Sequence, residues 1–189
     1  MNLMKQYTKW IVVAVIAVFV LMGVGTYNSL TNKEVAVDQA SSQIDVQLQR
    51  RAELIPNLVN TVKGYASHEK ETLTKITEAR AKLQDPNATL KDKAAADGEL
   101  TSALNRLMMV QENYPQLKAD QHFTELMREL SGTENRVTVA RTRYNNAVAD
   151  YNASTKRFPT NVVAGICGFQ QKDLLEATAD EKKNPEVKF

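Results

Sequence analysis

One cysteine, Cys167, in 189 residues rules out an intrachain disulfide, so packing must supply the stability. A lone thiol is compatible with either side of a membrane. Aromatic residues make up only 6% of the chain, with 7 glycines and 5 prolines. What remains is a helix-forming mixture rich in Ala, Leu, Glu, Lys, Gln and Arg. Neither sign of charge dominates: 24 basic and 22 acidic side chains leave a formal net charge of +2. Such a balance creates no large positive field and implies no nucleic-acid partner. The sequence has no Gly-x-x-x-x-Gly-Lys phosphate cradle and no Gly-x-Ser-x-Gly elbow.

What is present begins at the amino terminus. Trp10 to Val24 carries no charged residue and is almost wholly aliphatic. Extended to Tyr27 the stretch is 18 residues, roughly 27 Å as a helix, close to one hydrocarbon thickness. Trp10 and Tyr27 stand where amphipathic rings favour the membrane–water boundary. No Ala-x-Ala-like cleavage site follows, and the run is longer than a usual signal-peptide core. No cysteine lies near its end for lipidation, so an uncleaved anchor is expected. Lys5 and Lys9 precede the run and only Lys33 follows it before Arg50. That count favours a cytoplasmic amino terminus in a cell (inner) membrane, with the bulk domain on the extracytoplasmic side.

Beyond the run, Ile44, Leu48, Ala52, Ile55, Val59, Val62 and Ala66 recur at three- and four-residue steps. This predicts a first helix from about Lys33 to Leu83, with Ile76 and Leu83 prolonging the same face. Pro56 predicts a kink or break there, and Gly64 a second weak point. The anchor can run directly into this helix, although Asn28-Ser29 and Thr31-Asn32 loosen helices. Asp85-Pro86-Asn87 reads as a turn, after which Asn87 or Thr89 caps a second helix reaching about Glu112. Its apolar side is read as Leu100, Leu104, Leu107, Met108 and Gln111.

Pro115 suits the first turn of a third helix, whose seam is Phe123, Leu126, Leu130, Thr133, Val137, Ala140, Tyr144, Ala147 and Tyr151. The second helix returns roughly 36 Å and the third advances roughly 64 Å, so the third overshoots unless a break shortens it. The apolar run Val162, Val163, Ile166 and Phe169 is predicted to fold back and cover the far seam. The residues after Ala179 read as mobile and solvated.

Candidate chemistry is sparse. His68-Glu69 lacks the second histidine of a zinc-protease motif, since Thr72 stands in its place. His122 has Asp120 and Glu125 nearby, and a site of two histidines and a carboxylate across helices is conceivable. Surface or capping roles are the simpler reading of both histidines. Cys167, between Ile166 and Gly168 in an apolar run, predicts a buried, inert thiol. Arg50, Arg51, Glu53, Glu134, Arg136 and Arg141 form charge clusters, read either as interhelical pairs on a solvated face or as a docking patch. The reading assigns no catalytic, cofactor-binding or metal residue.

The stretch Gln49-Arg50-Arg51-Ala52-Glu53-Leu54-Ile55-Pro56-Asn57-Leu58-Val59, followed by Val62-Lys63-Gly64-Tyr65-Ala66 and His68-Glu69, resembles the LemA family. So do Tyr114-Pro115, Gly132-Thr133-Glu134-Asn135-Arg136, Ala140-Arg141-x-Arg143-Tyr144-Asn145 and Phe158-Pro159. Cys167 departs from the aromatic or aliphatic residue common there. The resemblance implies a bacterial membrane protein with one amino-terminal span and no agreed biochemical activity. The family's usual description places the large carboxyl-terminal part in the cytoplasm, opposite to the lysine count.

The resulting expectation is an all-α protein: a single transmembrane helix followed by an elongated antiparallel bundle of three long helices, with a short C-terminal segment packed back on it. Its parts are an anchor at 1–27, a helical bundle at 28–170 and a mobile tail at 171–189. The expected function is a non-enzymatic, membrane-tethered interaction or scaffold protein of the cell envelope. The alternative is a metal-dependent enzyme using His68 or His122 with nearby carboxylates. Membrane lipid and a protein partner are the expected contacts, with self-assembly through the third-helix seam a further possibility.

Overall fold

The computed structural model describes residues 2–66 and 68–176; the side chains of residues 2–6, 8 and 9, Lys5 and Lys9 among them, and the tail 177–189 lie outside what it describes. Among the described residues no strand forms. The helices are α1 (Asn2–Tyr65), α2 (Lys70–Leu83), α3 (Leu90–Val110), α4 (Pro115–Lys118), α5 (Gln121–Lys156) and α6 (Thr160–Cys167). They group into two compact units, one of residues up to Gln39 with Tyr144–Leu174, the other of Ala40–Arg143 with the segment from Leu175.

α1 is continuous for 64 residues, through Asn28–Asn32 and through Pro56. Of the kink or break expected at Pro56, the break does not occur. The physical difficulty is that proline has no N–H, so the carbonyl of Ala52 loses its intrahelical donor. Arg80 on α2 supplies the substitute: its Nε donates to the Ala52 oxygen at 3.0 Å. Ile55 and Leu58, both buried, seat the same turn in the core. α1 ends later, at Tyr65, and α2 begins at Lys70, so the predicted first helix is two helices.

This pairing makes a prediction. Arg80→Met should cost about 1–3 kcal/mol, because it leaves the carbonyl of fully buried Ala52 without a donor. In a Pro56→Ala background the amide of residue 56 can serve that carbonyl, and the cost should largely vanish. Thermal unfolding of the four chains closes the cycle. An equal cost in both backgrounds would rule out the compensation.

In the second unit, contacts define the register. α2 runs antiparallel to α3, since Glu71 pairs with Arg106 at 3.2 Å and Lys82 with Glu99 at 2.6 Å. α1 and α3 run in the same sense: Asp45 meets Lys93 and Arg51 meets Asp97. Ile44, Leu48 and Ile55 of α1 share the interior with Ile76, Leu100, Leu107, Phe123 and Leu130. Each fully buried aliphatic of this kind is worth about 1.5–3 kcal/mol.

α3 opens on a capping box in which Thr89 Oγ1 accepts from the Asp92 amide and Asp92 accepts from the Thr89 amide. Of the apolar side read for this helix, only Leu100, Leu104 and Leu107 prove buried. The predicted third helix is also interrupted, after Lys118. Asp120 restarts it, accepting from the Phe123 amide at 2.8 Å and from the Tyr65 hydroxyl at 2.9 Å. α5 is therefore 36 residues long, which removes part of the predicted overshoot.

In the first unit α1 itself flanks the last turns of α5: Lys33 Nζ donates to Asp150 and Ser154, both at 2.8 Å. The C-terminal segment does return to α5, but not through its apolar run. Val162 and Ile166 are exposed. The polar residues after α6 dock instead. Asn152 donates to the Lys172 carbonyl at 2.8 Å and accepts from its amide at 3.0 Å, while the Tyr144 hydroxyl donates to the Asp173 carbonyl.

Lys172 Nζ lies 3.1 Å from both Glu34 and Asp38 and 6.0 Å from the Tyr151 ring centroid. Burial pulls its pKa down, but the hydrogen bonds to Glu34 and Asp38 outweigh that and hold it above the ordinary lysine value. A segment that must leave backbone groups unpaired in an apolar setting gains more from such side-chain partners than from aliphatic contact. Of the tail predicted from residue 171, residues 171–176 include these contacts, and the rest is outside the described residues.

Candidate functional site

Two features stand out: an uncovered apolar stretch on α1 and a buried charge cluster in the second unit. From Trp10 onward α1 has an 18-residue window long and apolar enough to cross a membrane, none of it buried inside the protein. Trp10 and Phe19 are 68% and 69% exposed, values that water would penalise heavily for side chains of that size. Tyr27, at the predicted boundary, has its ring 5.5 Å from that of Phe169.

The predicted charge clusters divide between inside and outside. Arg51 is fully buried, paired with Asp97 and with Glu134 at 3.4 Å, and its Nη2 donates to Thr101 Oγ1 at 3.0 Å. Thr101 in turn donates to Glu134 at 3.2 Å. Arg141 is also buried, donating to the Glu176 carbonyl at 2.7 Å. Arg50, Glu53 and Arg136 are exposed and Glu134 is partly covered. The six residues therefore do not form one surface patch. Arg51 and Arg141 belong to the interior.

Desolvation pushes the Asp97 carboxyl above its ordinary pKa, with the Arg51 charge and hydrogen bond pulling the other way. Asp97 and Thr101 escaped the sequence reading. The signal was Asp97 lying three residues before Leu100 and seven before Leu104, on the apolar face of α3, as Arg51 lies on that of α1. An ionisable residue on an apolar stripe calls for a buried partner.

Beside the cluster a cleft of about 440 Å³ is lined by Leu104, Met108, Phe123, Met127 and Leu130, with Arg51 and Glu134 at its polar end. A shallower groove of about 500 Å³ holds His122 with Glu125 and Glu129. His68 is not among its lining residues and is exposed in the α1–α2 turn. Among the described residues no three His, Cys, Asp or Glu side chains are placed to hold a metal ion. Cys167 is exposed at the end of α6, which corrects the expectation of a buried thiol. The seam of α5 is largely spent inside the protein: Phe123, Leu130, Thr133, Val137, Tyr144 and Tyr151 are all buried.

Comparison with known families places these features in context. The LemA family model matches residues 40–189, most of the chain. The chain belongs to the LemA family. Protein LemA of Metamycoplasma hominis is 28% identical over 167 residues, covering 88% of this chain and 76% of that protein. Magnetosome proteins MamQ 1 and MamQ 2 of Paramagnetospirillum magneticum are each 27% identical over 175 residues. Those matches cover 79% of this chain and 64% of theirs, so it spans less than two thirds of their length. The LemA match begins at Ala40, beyond the apolar stretch, and takes in the whole Arg51–Asp97–Glu134 cluster. Apart from the motifs that carry the family, the cluster explains why Arg51 cannot be read as a surface residue.

Proposed function

We propose that this LemA-family protein is a non-enzymatic helical module tethered to the bacterial cell membrane, presenting its folded body to a protein partner of the envelope. The observation that carries this is the helix α1 itself. An uncovered, charge-free apolar stretch continues without interruption into residues that bury a core. Water does not tolerate the first half of such a helix, and a bilayer does. Tethering raises the local concentration of the body at the membrane, so weak contacts suffice for scaffolding.

The contact residues in this reading are the exposed members of the predicted patch, Arg50, Glu53 and Arg136. The lysine count, two before the run against one after it, favours the outer side for the body. Photo-crosslinking residues at these three positions should capture one recurrent protein in native membranes, and the adduct should fall when residues 1–25 are deleted. Failure to capture a protein from any of the three positions would sink the scaffold reading. A compartment-sensitive reporter fused after Phe189 decides the side.

A further inference from the structure

We infer that α6 is a second membrane contact: a short helix lying in the headgroup region beside the span, with Phe158, Val162 and Ile166 entering the lipid. The inference rests on the reading of the α1 apolar stretch as membrane-spanning, and gives that tether a second point of attachment.

Three observations converge on it. First, this apolar surface has no cover. Phe158 is 83% exposed, Ile166 80% and Val162 51%, and Val162 and Ile166 stand one helical turn apart on the same face. Second, the fold brings this surface to the end of the span. Phe169, two residues beyond α6, has its ring 5.5 Å from Tyr27, the last residue of the apolar stretch. Coverage along α1 also begins here, with Gly23 and Thr26 the first partly covered positions, near the end of the run, and Leu30 the first buried one. Third, residues 158–171 hold no charged side chain, whereas Lys156 and Arg157 immediately before them are exposed and basic.

A lipid surface fits this pattern better than a protein groove does. Eight residues make roughly 12 Å of helix, too short to cross a bilayer but suited to the boundary between headgroup and acyl chain. The ends of the helix are partly closed by its own backbone. Asn161 donates to the Arg157 carbonyl and Val162 to that of Pro159, while left-handed Gly168 lets the Phe169 amide reach the Ala164 carbonyl. Fewer polar groups are then left for the lipid to exclude. The basic pair can remain among the headgroups while the aliphatic face enters.

Cys167 supplies its own reporter, being exposed and the only cysteine. The full chain, labelled there with an environment-sensitive fluorophore, is reconstituted in phosphatidylcholine–phosphatidylglycerol vesicles carrying nitroxides at a shallow or a deep acyl position. The label should emit with a blue shift relative to water, and the shallow nitroxide should quench it more than the deep one. A second chain, Phe19→Cys with Cys167→Ser, reports the span and should be quenched most by the deep nitroxide. Val162→Ser with Ile166→Ser should abolish quenching at position 167, with the helical circular-dichroism signal unchanged.

Quenching at position 19 without any at position 167 would overturn the α6 contact while leaving the tether intact, and would leave this face to a protein partner. No quenching at either position would overturn both. Quenching at 167 that persists unchanged in the double serine variant would also overturn the assignment to this face.

Discussion

Arg51→Met should lower the stability of the second unit by about 3–5 kcal/mol, among the larger effects a single substitution can have here. The reason is what remains, not what leaves. Asp97 is 6% exposed, and without the guanidinium its carboxyl must either ionise in an apolar interior or hold a proton there, with Arg141 the remaining compensating charge that acts on it. Thr101 and Glu134 lose the same partner.

The pH dependence follows from the sign of the shift. Burial already raises the Asp97 pKa, and removing Arg51 raises it further, so the native state holds a proton that the unfolded chain has released. Stability of the variant must then fall as pH rises above the ordinary carboxylate value, and recover on acidification. Replacing both partners, Arg51→Met with Asp97→Leu, should return most of the loss at neutral pH, since no uncompensated charge remains. Thermal unfolding of the full chain in detergent, followed by circular dichroism, gives the comparison, at roughly 2–4 °C per kcal/mol for a protein this size. A single variant as stable as the parent at neutral pH, or a double variant no better than the single, would show that the cluster is not a closed buried pair.

The second large effect concerns the proposed span. Val15 and Phe19 lie one turn apart near the middle of the exposed apolar stretch. Arginine at either position changes its transfer into the bilayer centre by about 3–4 kcal/mol, and at both by about twice that. The doubly substituted chain should move from the membrane pellet to the supernatant on alkaline carbonate washing, whereas Val15→Leu with Phe19→Leu should stay in the pellet. Parent protein released by the same wash would remove the tether from the proposal altogether.

Much of the helical content was legible because helix periodicity is local. The α1 positions Ile44, Leu48, Ala52, Ile55, Val59 and Val62, and Ala66 just past its end, are all buried, as the three- and four-residue spacing demands. Thr89 caps α3 for an equally local reason, with its partner Asp92 three residues away. The errors came where the deciding partner is distant. Pro56 does not end α1 because the donor to the Ala52 carbonyl belongs to a residue 28 positions further on, which local sequence does not reveal. Arg51 could be read as surface because its acid is 46 residues away on another helix. Cys167 looked buried because its neighbours are apolar, yet eight residues at the end of a chain segment need not face inward.

By itself the order of residues determined that this protein is helical, that its first helix carries a bilayer-length apolar stretch free of charge, and which face of α2, α3 and α5 turns inward. Those are consequences of composition and of the 3.6-residue period, which act over neighbouring turns. Only the tertiary structure decided which charges lie inside, where the long helices stop, and that Val162 and Ile166 of α6 face outward while Phe169 beyond it meets Tyr27. Burial and pairing depend on what other parts of the chain bring to a position, and no local pattern carries that information.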